Sequence, residues 1–157
     1  MHILHGIYFN RNGCSRRRIV SGGVQRYKQH IKTPIMVFVI AQVLTALIAL
    51  GHLYFLWMEM FAWETVGKKT FRGFPKELFK PTKGMAANQG LYNGFLAAGL
   101  IWSFLISDPQ WATNIRLFFL GCVIVAGLFG ALTVSRKIFT FQALPAIIAL
   151  IFVLFAS

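Results

Sequence analysis

Four uncharged runs leave this chain few folds to choose from. They cover residues 33–58, 84–107, 117–135 and 138–157, and are 26, 24, 19 and 20 residues long. Each exceeds the roughly 18 apolar residues that cross a hydrocarbon core about 30 Å thick. Inside lipid no backbone N–H or C=O can go unpaired, so each run has to be a helix. Short links between successive runs set neighbouring helices antiparallel. The sequence therefore predicts an all-α fold, a four-helix transmembrane bundle of up-down topology. Its spans fall at about 36–61, 85–106, 115–135 and 138–156. A soluble fold would need four helices apolar nearly all round in 157 residues, too small a chain to bury them.

Charge is sparse and placed at the helix ends. Only 13% of residues are charged, about half the share in a soluble domain. The net charge of +12 would suggest nucleic acid on a soluble chain. Here seven of the sixteen Lys and Arg precede Pro34, six lie from Lys68 to Lys83, and the others are Arg116, Arg136 and Lys137. That distribution is one of membrane orientation, so the expected partner is the lipid bilayer and not nucleic acid. Cys14 and Cys122 fall in a polar tail and inside an apolar run, with no Cys-x-x-Cys between them. One His and one Glu on the first helix are too few ligands for a metal. The sequence calls for no metal and no cofactor.

Residues 1–35 differ from the rest. They are basic, polar and free of acid, with no apolar core or cleavage site of a secretory signal. A basic surface tail and an organellar leader are two readings. The favoured third is an over-long gene start, with the four-helix domain at 36–157. Charge counting favours it. The first and third loops hold eight Lys and Arg, and without the tail the opposite side holds only Arg116. The positive-inside bias then places loops 1 and 3 in the cytoplasm and both termini outside a cell membrane.

The stretch 51–63 carries chemistry inside an apolar run. His52 and Glu59 are seven residues apart, two helical turns, so they share a face with Thr45. Gln42 is close to the same stripe and Trp63 follows Glu59 by one turn. Such a stripe has no place against lipid and must look at protein, water or a ligand. In the second run, Asn88 and Tyr92 are one turn apart, as are Gln89 and Asn93. Gly90, Gly94 and Ala98 form a small-residue row, and Ala126 and Gly130, with Gly127 and Ala131 beside them, form another in the third run. Pro145 frees the carbonyl of Phe141 and should kink the fourth helix. In the first loop, Pro75 and Pro81 bracket room for one short helix, and Phe71, Phe74, Leu78 and Phe79 read either as an interfacial segment or as an ordinary solvated loop.

Matching depth along the first hairpin at about 1.5 Å per residue sets Glu59 level with Asn88 and Gln89, and His52 with Tyr92 and Asn93. Gln142 enters from the same side. The candidate proton-handling residues are His52 and Glu59, and the candidate ligand-binding residues are Asn88, Gln89, Tyr92, Asn93, Trp63 and Gln142. The structural alternative gives the polar groups to helix–helix hydrogen bonds and the aromatics to a membrane belt.

The pieces Gly51-His52-Leu53-Tyr54, Glu59-Met60-Phe61-Ala62-Trp63 and Asn88-Gln89-Gly90-Leu91-Tyr92-Asn93-Gly94 carry a resemblance. They resemble a family of small bacterial membrane proteins catalogued as domain of unknown function thirteen-oh-four. The resemblance implies four membrane helices in about 120 residues, here from Met36 onward. It implies no activity, cofactor or functional residue.

Three functions stay open. The first is a multi-pass membrane protein that binds a small or lipophilic ligand in a one-sided polar pocket between the first two helices. A proton-coupled transporter, similar in outline to small multidrug-resistance exporters, is its variant. The outer half offers only Gln42, Thr45 and Ser103, which weighs against transport. The second is a small membrane enzyme using His52 and Glu59 as acid and base, similar in residue types to sterol isomerases of the emopamil-binding kind. The third is a structural subunit, or a homo-oligomer, packed through the small-residue faces.

Overall fold

The first apolar helix ends at Phe61, where glycine, lysine and proline take over from an unbroken apolar run. In the computed structural model, which describes residues 16–157 and their side chains from residue 35 onward, α1 covers Arg16–Phe61. Two units make up the chain, Met1–Pro34 and Ile35–Ser157, and the second holds every candidate site residue. The readings made for the tail lie outside the residues whose side chains are described.

After α1 come a wide π-helical turn at Trp63–Gly67, a single turn α2 (Lys68–Thr70) and a 3-10 turn at Lys76–Leu78. The last of these is all that forms between Pro75 and Pro81. Then follow α3 (Lys83–Leu105), α4 (Pro109–Thr133), a second π-helical turn at Phe139–Ala143 and α5 (Leu144–Ala156). The fold is all-α, with no strand among the described residues.

Three stretches are long and apolar enough to cross a membrane: Ile35–Phe61, Pro109–Thr133 and Phe139–Ala156. The fourth stretch, expected at 85–106, is not among them, because it falls short on apolarity and not on length. α3 has 23 residues, about 35 Å of helix, but Asn88, Gln89, Tyr92 and Asn93 crowd its first half.

The start of α4 also differs from the expected 115. Asp108 accepts a hydrogen bond from the Trp111 N–H at 2.8 Å, with Pro109 at the first helical position. This is an N-cap followed by a preset first residue. A boundary drawn at the charge of Arg116 overlooks it. Asp108→Ala is expected to cost about 1 kcal/mol, whereas Asp108→Asn keeps the acceptor and should stay close to wild type. Equal thermal unfolding of the two variants in detergent would discount the cap.

The disturbance expected at Pro145 takes the form of a widened turn. The Leu144 N–H bonds the Phe139 carbonyl five residues back, so the turn before the proline is already open when the missing N–H arrives.

The core is built for close approach. Ala41 and Ala49 of α1, Leu100 of α3, Leu120 and Val123 of α4, and Ala146, Ala149 and Val153 of α5 form one buried cluster. Small side chains let backbones come near enough for dispersion to hold helices together. A Cβ on Gly127 would lie 2.7 Å from the Ala143 backbone nitrogen, and one on Gly130 would lie 3.1 Å from Ile138. Of the expected group Ala126, Gly127, Gly130 and Ala131, it is Gly127 and Gly130 that make the close approach, and Ala126 is exposed.

Candidate functional site

The inward stripe of α1 is Ala41, Thr45, Ala49, His52 and Glu59, all buried. Its steps of three, four and seven residues keep one helical face toward the other helices. Two of its polar groups are satisfied on α1 itself. The Thr45 hydroxyl donates to the Ala41 carbonyl at 2.7 Å. His52 Nδ1 lies 2.9 Å from the Ile48 carbonyl. That bond needs a hydrogen on Nδ1, so in the neutral ring Nε2 is left as an acceptor.

Glu59 is different because its partner comes from another helix. Asn93 of α3 donates Nδ2–H to Glu59 Oε2 at 2.8 Å. The contact exists because α3 carries glycine where it meets α1. A Cβ on Gly90 would lie 2.9 Å from Met60 Cγ, 3.0 Å from Glu59 Cβ and 3.1 Å from the Leu56 carbonyl oxygen. One turn on, Gly94 abuts the Leu56 side chain. Ala86, Gly90, Ala97 and Leu100 are the buried seam of α3, and Asn93 sits on that seam's edge. Glu59 keeps 7% of its surface.

Among the described residues no basic side chain answers this carboxylate. Among the described residues the one ion pair is Lys83 with Glu64, 3.1 Å, at the loop end of the hairpin. A carboxylate has about four acceptor positions, and Asn93 fills one of them. Ionised, it calls for a further donor or cation; protonated, it has a hydrogen to give. Among the described residues no three His, Cys, Asp or Glu side chains gather as a metal site.

The remaining candidates are placed apart. Asn88 and Gln89 are exposed, and Tyr92 is 53% exposed. The expected level of Glu59 is therefore off by about one turn, and its partner is Asn93. Asn88 and Gln89 are turned away because the approach at Gly90 leaves room only for small residues in the seam. With Glu59 at Asn93 and Leu56 at Gly94, His52 falls about level with Ala97 to Leu100, beyond Tyr92 and Asn93. Gln142 is half-buried within the π-helical turn Phe139–Ala143.

Trp63 belongs to a separate cluster. Its indole N–H donates to Thr82 Oγ1 at 3.2 Å. Its ring packs against Phe71, Phe74 and Phe79 with centroids 5.5, 5.9 and 4.8 Å away. Phe79 is 1% exposed, so these phenylalanines fold the first loop onto the end of α1. The loop is thus packed on the helix end and not wholly solvated, with Leu78 left 41% exposed. Phenylalanines among lysines were the available signal, but their common partner Trp63 is sixteen residues before Phe79.

Arg116 is not singled out by any sequence pattern. Counted as a loop charge, it is 5% exposed inside α4. Its Nε donates to Ser103 Oγ at 3.3 Å. The half of the bundle away from Glu59 is therefore richer in polar groups than Gln42, Thr45 and Ser103 alone.

A family model described as "Protein of unknown function (DUF1304)" matches residues 46–154. The chain is similar to "Uncharacterized protein YpaA" of Lactococcus lactis subsp. lactis (strain IL1403). The two are 37% identical over 113 residues, which cover 69% of this chain and 92% of that protein. No solved structure matches the chain significantly.

Proposed function

We propose that this chain, which belongs to the DUF1304 family of proteins of unknown function, is a four-span membrane protein that binds a small lipophilic molecule at the α1–α3 seam. The observation that carries the binding reading is Glu59, a buried carboxylate that has, among the described residues, no basic partner and a single amide donor, Asn93. The matching ligand is an apolar body with a cationic or hydrogen-bond-donating head. Buried ionisable groups inside membrane segments are retained for such work more often than for packing.

The fourth span in this reading is α3. It is joined to α4 by residues 106–108 alone and matches it closely in length. With Asn93 turned to Glu59, part of its polarity is spent inside the protein. With residues 1–35 left out of the count, the positive-inside bias puts the eight Lys and Arg of loops 1 and 3 in the cytoplasm, since Arg116 is buried in α4 and the α3–α4 turn holds no Lys or Arg. A second copy of the chain would need faces other than Gly90, Gly94, Gly127 and Gly130, which are filled within the chain. The same Arg116 favours a proton-coupled transporter as second reading, since polar groups then stand at both ends of the bundle.

The test is binding of a fluorescent lipophilic cation to purified protein in mild detergent. Glu59→Gln keeps the fold and is expected to weaken binding at least about tenfold, the loss of a charge-assisted contact. Unchanged affinity in a folded Glu59→Gln protein would remove this reading.

A further inference from the structure

Arg116 is the eighth residue of α4, a fixed positive charge with five N–H donors. It is 5% exposed. Its Nε reaches Ser103 Oγ at 3.3 Å and its Nη2 reaches the Ser103 carbonyl at 3.5 Å. Both bonds are at or beyond the long limit for N–H···O. The Ser103 hydroxyl gives its own hydrogen to the Leu100 carbonyl at 2.7 Å. Phe104 lies under the guanidinium, 5.1 Å from Cζ to the ring centre. Among the described residues no carboxylate pairs with it. A buried permanent charge without a counter-charge is costly, and more so in a membrane.

The level of Arg116 indicates where a counter-charge comes from. Trp102 and Trp111, 53% and 63% exposed, stand on α3 and α4 near the turn that joins them. Exposed tryptophans of this kind mark the headgroup level. From the cap at Asp108, Arg116 lies about 12 Å along the helix, within reach of that level for a long side chain. The Gln42 Oε1 is buried without a donor among the described residues.

We propose that Arg116, with Ser103 and Phe104, forms a buried site for a phosphoryl anion entering at the α3–α4 end of the bundle. A planar guanidinium takes two oxygens of a phosphoryl group side by side, and the N–H groups not spent on Ser103 are the donors for it. The anion comes either from a phospholipid headgroup or from free phosphate. The site is separate from Glu59, whose partner Asn93 precedes Ser103 on α3 by about 15 Å of helix.

Native mass spectrometry of the full chain after delipidation, with thermal titrations, tests the site. Wild type is expected to keep a phospholipid that Arg116→Gln loses about tenfold, since a charged bidentate contact is removed. Ser103→Ala should lose less. Stabilisation by phosphatidylglycerol micelles but not by inorganic phosphate assigns the headgroup, and stabilisation by inorganic phosphate alone assigns the free anion. Either shift has to vanish with Arg116→Gln. Where that variant does not fold, Arg116→Lys keeps the charge without the fork and should bind several-fold more weakly. No adduct and no shift in wild type overturns the site, as does retention unchanged in both Arg116→Lys and Ser103→Ala.

Discussion

Gly90→Leu is expected to abolish the folded state in detergent, while Gly84→Leu leaves it intact. At Gly90 even the first carbon of a side chain has no room. It would meet Glu59 Cβ at 3.0 Å and the Leu56 carbonyl oxygen at 3.1 Å. The Leu56 oxygen is backbone, so relief requires α1 and α3 to separate. Overpacking by a few carbons costs about 1–3 kcal/mol. A leucine there also opens the Glu59–Asn93 contact, so its effect should exceed that range. Total stability is about 5–15 kcal/mol in typical domains, and a loss of this kind consumes much of it. At Gly84 nothing lies within 4 Å of an added Cβ. Gly94 falls between the two, because the atom it meets is the flexible end of Leu56. Circular dichroism melts decide: the same midpoint for Gly90→Leu and Gly84→Leu would show that the seam is not packed in this way.

The helices were legible in the sequence because long uncharged runs admit no other backbone. The Thr45–His52–Glu59 face was legible for a similar reason, since a heptad step returns to the same side of a helix whatever surrounds it. Depth between helices was not. It depends on how the hairpin closes, and Trp63 closes it with Phe71, Phe74 and Phe79 in a cluster that no periodicity announces. The partner of Glu59 therefore came out one turn away, at Asn93 in place of Asn88 or Gln89. Arg116 was misplaced by a rule that sends charge to loops. The Asp108-Pro109 pair starts the helix earlier and carries the arginine inside. In each case the local pattern was present, and a tertiary contact decided its meaning.

Asn93→Leu is expected to cost about 1–3 kcal/mol, and more if Glu59 is ionised when its donor goes. The single change leaves a buried carboxylate with no donor among the described residues, and a polar group without a partner bears its full desolvation cost. Glu59→Gln should be nearly silent on stability, because the amide oxygen still accepts from Asn93. Glu59→Leu with Asn93→Leu should recover most of the loss, since two apolar groups of similar size leave nothing unpaired. Melting of the two single leucine variants and the double variant closes the cycle. A coupling above about 1 kcal/mol is the sign of a direct contact. This cycle reads packing and pairing alone, so it is separate from ligand binding by Glu59. A stable Asn93→Leu protein with binding lost would instead make Asn93 a ligand-orienting group and not a support for the carboxylate. Additive losses within about 0.5 kcal/mol would mean that Glu59 and Asn93 do not hold each other.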